Sequence, residues 1–230
     1  MLAETGVLGE QYRAGFLGQP ASAVSSLAFV AAGAGLLAAH SRRGSPGIDR
    51  HTAFGLLVAG IGVGSFVQHG PHPDWQAYAH DPPLAATLLF LATDAVSDLS
   101  GRELSQRWWL LPSLAMFPVV AAGPTASTAV QAGLAFAAVG LNLLRIRRRP
   151  ELRATVIAAL AVVAAGATLG RLLDQSTLHH PAGLVQGHAL WHLLAAAALW
   201  RLAPVVGARR QLGSVAPADE EVPADPHPQQ

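Results

Sequence analysis

The sequence lacks cysteine and lysine altogether, and it is poor in charged residues of either sign. Without cysteine the chain has no disulfide, no thiolate nucleophile and no thiolate metal ligand. Charged residues make up only 13% of the 230 residues, whereas soluble domains carry roughly 25%. A net charge of +1 is too small an excess of positive charge to indicate nucleic-acid binding, and we therefore expect no nucleic-acid partner.

Hydrophobic residues account for 51% of the chain and recur in segments close to the roughly 20 residues that cross a bilayer. These segments predict an all-α integral membrane protein, a seven-transmembrane helix bundle with spans near residues 20–40, 52–69, 83–99, 108–123, 126–144, 153–172 and 184–204. Three regions follow: an outer N-terminal segment (1–19), the transmembrane domain (20–206) and a tail (207–230). The tail is rich in Pro, Asp, Glu and Gln, and we expect it to be disordered.

The start of the chain and the distribution of arginine predict the topology. The first nineteen residues have no basic region ahead of an apolar core, so we expect the first span to be retained rather than cleaved. Thirteen of the fifteen basic residues fall on one side of a seven-span chain, and only Arg13 and Arg171 fall on the other. The positive-inside rule therefore places the N-terminus outside and the C-terminus in the cytoplasm, and we expect a bacterial cell membrane.

Polar side chains gather at the outer ends of three predicted spans. The second span ends in "GSFVQHG" with Ser65 and His69, the third opens with "AHDPPLAA" and Asp81, and the seventh opens with "GHALWHLL". Because residues i and i+4 project from one helix face, His188 and His192 can ligate one ion. His69 would complete a three-histidine set with a fourth position free, which is the arrangement of catalytic zinc.

The chemistry of this cluster gives the other two residues roles. Zinc lowers the pKa of a bound water to about 7. Ser65 lies one helical turn before His69 and can donate a hydrogen bond to a developing oxyanion, while Asp81 can act as a base or orient the water. Structural interpretations stay open, since histidine pairs at this spacing often lie on surfaces or in cores. Ser65, close to several glycines, also suits helix packing.

The remaining ionisable residues are interpreted structurally. Four histidines are expected in loops, where any of them could add a ligand: His72, His80, His179 and His180. His40 and His51 fall on the cytoplasmic side, out of reach of the cluster. Asp94 and Asp98 in the third span are expected to bond to another helix or to an interfacial arginine. Arg171 and Asp174 in the sixth span are expected to form a local ion pair.

These segments together resemble the alkaline ceramidase family, which belongs to a superfamily of seven-helix membrane hydrolases that also includes the adiponectin and progestin receptors. The resemblance rests on "GVGSFVQHG", "AHDPPLA" and "GHALWHLL", with "QPASAVSSLAF" in the first span, and covers about residues 19–200. It implies a zinc ion held by His69, His188 and His192, with Ser65 and Asp81 beside the activated water. It also implies hydrolysis of a lipid amide to a fatty acid and an amine.

The sequence departs from this family near its N-terminus. Eukaryotic ceramidases have an acidic cluster there that is associated with calcium. This chain has only Glu4 and Glu10, and it has Gln19 at a position where the resemblance leads us to expect an acidic residue. The resemblance therefore does not support a calcium ion.

We expect a zinc-dependent intramembrane hydrolase whose substrate, a ceramide-like or other N-acyl lipid, reaches the outer face from the bilayer. One alternative is a seven-helix receptor or signalling protein with a structural zinc site. Another is a transporter or proton channel, which the clustering of ionisable groups at one end of the bundle disfavours. The sequence leaves the acyl chain, the head group and the oligomeric state open.

Overall fold

The computed structural model describes residues 9–42, 49–176 and 180–208. Within these ranges the chain is helical and contains no strand. Its α-helices, in chain order, are α1 (Pro20–Ser41), α2 (Arg50–His69), α3 (Gln76–Ser100), α4 (Arg107–Leu114), α5 (Met116–Ala121), α6 (Pro124–Arg148), α7 (Arg153–Asp174) and α8 (Gly187–Leu202). Residues 209–230 of the expected disordered tail lie outside the described residues, as do Glu4 and His179.

Five helices of the described chain are long and apolar enough to cross a membrane, namely α1, α2, α3, α6 and the segment that contains α7. Their outward faces carry large apolar side chains that no other helix covers, such as Leu56, Val63 and Phe136. Such faces are stable against lipid rather than water. The chain therefore has the architecture of an integral membrane protein, as its composition predicts.

The other two predicted spans form shorter helices. Residues 108–123 form α4 and α5, which are separated at Ala115. Pro118 supplies no N–H to the carbonyl of Leu114 and clashes with that turn, whereas Pro112 lies inside α4. The predicted span 184–204 forms α8, whose 16 residues extend about 24 Å before Pro204.

Six helices contact one another in a closed order, and this order positions the polar residues. Helix α1 packs on α2, α2 on α3, α3 on α6, α6 on α7, α7 on α8, and α8 returns to α1. The short helices α4 and α5 lie against α3, and α5 also contacts α6. Helices α2 and α8 therefore both pack against α1.

Helix α3 begins at Gln76, well before the predicted residue 83, and contains Pro82 and Pro83 in its interior. Pro83 cannot donate to the carbonyl of Ala79, and that carbonyl lies instead against Gly64 of α2, where a Cβ would be 2.1 Å away. The backbones of α2 and α3 therefore touch immediately before Ser65. One expectation was wrong: His80 is a helical residue, not a loop residue.

Buried ion pairs join the helices at the end of the bundle opposite His69, His188 and His192. Arg145 of α6 is 1% exposed, and its guanidinium donates to Asp94 Oδ2 at 3.0 Å and to Asp98 Oδ2 at 2.6 Å. Arg50 and Arg149 donate to the remaining carboxylate oxygens. Asp94 and Asp98 thus pair with arginines at the helix ends, one of the two arrangements that the sequence suggested.

Arg145→Met is expected to lower the free energy of unfolding by about 3 kcal/mol, because removing one partner leaves buried carboxylates short of a counter-charge. Thermal unfolding in detergent measures this loss. Arg147→Met removes an exposed arginine from the same helix and is the matched control. Equal midpoints for the two variants would contradict a stabilising role for the buried pairs.

Candidate metal centre

Three imidazoles from two helices meet at one end of the bundle. His69 is the last residue of α2, and His188 and His192 occupy the first two turns of α8. One ring nitrogen from each lies within 4.8 Å of the other two, and His69 Nε2 is 3.1 Å from His188 Nε2. Zinc–nitrogen bonds of about 2.0–2.1 Å place ligand nitrogens roughly 3–4 Å apart, so the set fits a metal ion.

The start of α8 determines the position of its two histidines. The first N–H of the helix, that of Gly187, is capped by Asp174 Oδ1 of α7 at 2.7 Å. A Cβ on Gly187 would lie 1.9 Å from the carbonyl of Gly170, so only glycine allows α7 and α8 to approach this closely. The cap and the close approach fix where α8 begins, and with it the first turn that carries His188.

The outer nitrogen of His69 is held by Gln19, the residue just before α1. His69 Nδ1 lies 2.6 Å from Gln19 Oε1, and an amide oxygen only accepts, so we assign the ring proton to Nδ1. The lone pair on Nε2 then faces the cluster. Gln19 is itself fixed, because its Nε2 donates to Glu10 O and its backbone N–H donates to the carbonyl of His69.

His192 is oriented by serines of α1. Its Nδ1 lies 3.1 Å from Ser22 O, which only accepts, and 2.9 Å from Ser25 Oγ, so we place the ring proton on Nδ1 here too. His192 Nε2 is 3.2 Å from Ser65 Oγ, and Ser65 Oγ accepts a hydrogen bond from Ser26 Oγ at 2.9 Å. Donation of the outer N–H to a carbonyl is the usual way in which proteins orient metal-binding histidines.

Asp81 is placed differently from the other four predicted residues. His69, His188, His192 and Ser65 come together, whereas Asp81 is not among the residues whose ligand atoms meet. Asp81 Oδ1 accepts from His80 Nδ1 at 2.7 Å, and Oδ2 accepts from Ser127 Oγ of α6. The backbone of His80 lies against Gly64, so this pair stands beside the cluster rather than in it.

Sequence reasoning gave no role to the residues of the first span and the segment before it. Ser22, Ser25 and Ser26 follow the i, i+3, i+4 spacing on an otherwise apolar helix, and that spacing is the signal that could have identified them, since polar groups in a membrane are costly. Glu10 is 1% exposed, and its carboxylate accepts from the backbone N–H groups of Ala21 and Ser22. Glu10 thus caps α1.

A pocket of about 360 Å³ borders the cluster between α7 and α8. It is lined by glycines of α7, by Arg171 and Asp174, and by His188 and Trp191 of α8. It combines an apolar wall with two ionisable side chains and one imidazole of the cluster.

No family model matches the chain, and no curated protein is similar to it at a significant level. The fold and the site therefore define its class by themselves. It is a helical membrane protein with a buried three-histidine cluster suited to a metal ion.

Gln19→Leu is expected to weaken metal binding by roughly 10–100-fold, the usual effect of losing a residue that orients a ligating histidine. The reason is that His69 loses the only side-chain acceptor that the described residues provide for its Nδ1–H. Metal affinity measured with a competing chelator tests this. Gln76→Leu, the same change at the start of α3 with no contact to the cluster, is the control and should bind metal normally. Unchanged affinity in Gln19→Leu would remove Gln19 from the site.

Proposed function

We propose that this chain is a zinc-dependent intramembrane hydrolase that cleaves the amide bond of a ceramide-like or other N-acyl lipid. The observation that carries the proposal is the set of three converging imidazoles, of which the buried His69 and His192 have their outer nitrogens held by Gln19 and Ser22. Within the described residues the set contains three ligand-type side chains. Three protein ligands and a free position are typical of catalytic zinc, whereas a structural site has four, which favours a hydrolase over a receptor.

The metal and the serine have separate tasks in this proposal. When bound, Zn²⁺ acts as a Lewis acid and lowers the pKa of water to about 7. Ser65 Oγ, 3.2 Å from His192 Nε2, is positioned to donate a hydrogen bond to the amide oxygen as negative charge develops there. The pocket beside His188 supplies room for the part of the substrate next to the scissile bond.

Proton transfer is assigned to His80 together with Asp81. A carboxylate only accepts, so His80 Nδ1 donates to Asp81 Oδ1 and the basic atom of the ring is Nε2. His80 Nε2 takes a proton from the attacking water and returns it to the nitrogen of the leaving amine. Asp81 orients the imidazole and stabilises its charged form, and Ser127 holds Asp81.

The proposal includes a seven-span topology, with α4 and α5 as the fourth crossing and α8 as the last. A reporter fused after Gln230 is expected in the cytoplasm and one at the N-terminus outside, because thirteen of fifteen arginines fall on one side. Accessibility of both reporters in intact cells checks this topology. The reverse result would move the site to the inner leaflet and change the available lipids but not the chemistry.

Metal analysis of the detergent-purified protein, combined with a fatty-acid-release screen over N-acyl lipids, tests the function. The expected result is stoichiometric zinc and release of fatty acid from at least one lipid amide. Zinc without hydrolysis of any lipid in the screen would favour the receptor alternative. A protein that binds no zinc at the cluster would overturn both.

A further inference from the structure

A second cluster of ligand-type side chains lies at the opposite ends of α1 and α2. Here His40 is near the end of α1, and Asp49 and His51 are at the start of α2. One ligand atom from each lies within 4.8 Å of the other two. His51 is about 27 Å along α2 from His69, at 1.5 Å per residue, so this cluster is separate from the three-histidine centre.

The contact between His40 and Asp49 is close without being a hydrogen bond. His40 Nε2 lies 2.8 Å from Asp49 Oδ2, yet neither ring nitrogen of the buried His40 makes a hydrogen bond among the described residues. An ordinary ion pair points its N–H at the oxygen. Two ligands of one ion instead approach to roughly 3 Å while both point at the metal, because metal–nitrogen and metal–oxygen bonds are each about 2.0–2.2 Å long.

The other contacts of these residues hold them in place for a shared ligand. Asp49 Oδ1 accepts from the backbone N–H of Thr52 at 2.9 Å, which caps α2 and leaves Oδ2 facing the two rings. His51 Nδ1 is 4.0 Å from that Oδ2. The two imidazoles are stacked with centroids 5.2 Å apart and planes 9° from parallel, an arrangement that two protonated rings would disfavour by repulsion.

We propose that His40, Asp49 and His51 bind one divalent ion of the zinc class. Two imidazole nitrogens and one carboxylate oxygen suit Zn²⁺ better than Mg²⁺ or Ca²⁺, which prefer oxygen ligands alone. The ion ties the end of α1 to the start of α2 and so closes the α1–α2 hairpin at the end remote from the three-histidine centre. This binding site stands independently of the proposed hydrolase activity.

Zinc titration of metal-free, full-length protein tests the second site. The variants are His40→Asn and Asp49→Asn, and the control is His180→Asn, which removes an exposed histidine. Asparagine at position 49 keeps an oxygen for the Thr52 N–H, so α2 retains its cap while the anionic ligand is lost. Both variants are expected to bind one equivalent of zinc less than the wild type, and the control the same amount.

The His69→Ala background separates this result from the fate of the three-histidine centre. In that background zinc should still raise the unfolding temperature, and adding Asp49→Asn should abolish the shift, since an ion stabilises only a state that binds it. These results hold even if the histidine triad binds no metal. Equal zinc content in wild type, His40→Asn and Asp49→Asn overturns the proposal and leaves an ion pair at this end of the bundle.

Discussion

Replacing His69, His188 or His192 with alanine is expected to remove both the metal at the triad and the lipid hydrolysis that depends on it. Two imidazoles form a weak site, because each lost nitrogen removes a bond that the remaining protein ligands cannot replace. Hydrolysis should fall to the background rate measured without enzyme, since the metal would supply the activated water. Zinc content and fatty-acid release, measured on the same preparations, check the expectation.

His180→Ala is the matched control for these variants, because it removes an exposed histidine from the loop that precedes α8. It should keep both zinc and activity. A chelator should inactivate the wild type, and added Zn²⁺ should restore it, whereas the triad variants should not recover. Hydrolysis that survives in His192→Ala at near wild-type rate would place the chemistry elsewhere.

Ser65→Ala and Asp81→Asn are expected to lose turnover while keeping metal at the triad. Ser65→Ala removes a hydrogen-bond donor beside His192, and loss of one such donor typically costs on the order of 10²–10³ in rate. Asp81→Asn removes the carboxylate that orients His80, and we expect a loss of about 10²-fold or more. Neither change removes an imidazole of the cluster, so zinc should stay close to the wild-type stoichiometry.

Because His80 pairs with Asp81, single and double variants of the two residues can show whether they act together. If the two act as one unit, His80→Asn should lose about as much activity as Asp81→Asn, and the double variant should be little worse than either single variant. Independent roles would give multiplied losses instead. Full activity in both Ser65→Ala and Asp81→Asn would defeat the catalytic assignment even with zinc in place.

The helical periodicity of the sequence predicts a large part of this molecule. Apolar segments indicate an all-helical membrane protein, and five helices fulfil that prediction in length and composition. The spacing of His188 and His192, and of Ser65 and His69, places each pair on one helix face whatever the packing. The sequence predicted that the histidines of α2 and α8 come together, because both polar helix ends were assigned to the same side of the membrane. The sequence was wrong about where α3 begins, since the predicted span starts near residue 83 whereas the helix starts at Gln76 and continues through Pro82 and Pro83.

The sequence by itself therefore determined the class of protein and the residue types of its centre, since both depend on periodicity along a single helix. Tertiary structure alone decided which groups hold those residues. Gln19 contacts His69, serines of α1 orient His192, and Asp81 pairs with His80 and Ser127, because of how the helices are rotated and how closely Gly64 and Gly187 let their backbones approach. Rotation and approach depend on contacts between residues far apart in the chain, and no spacing within one segment encodes them.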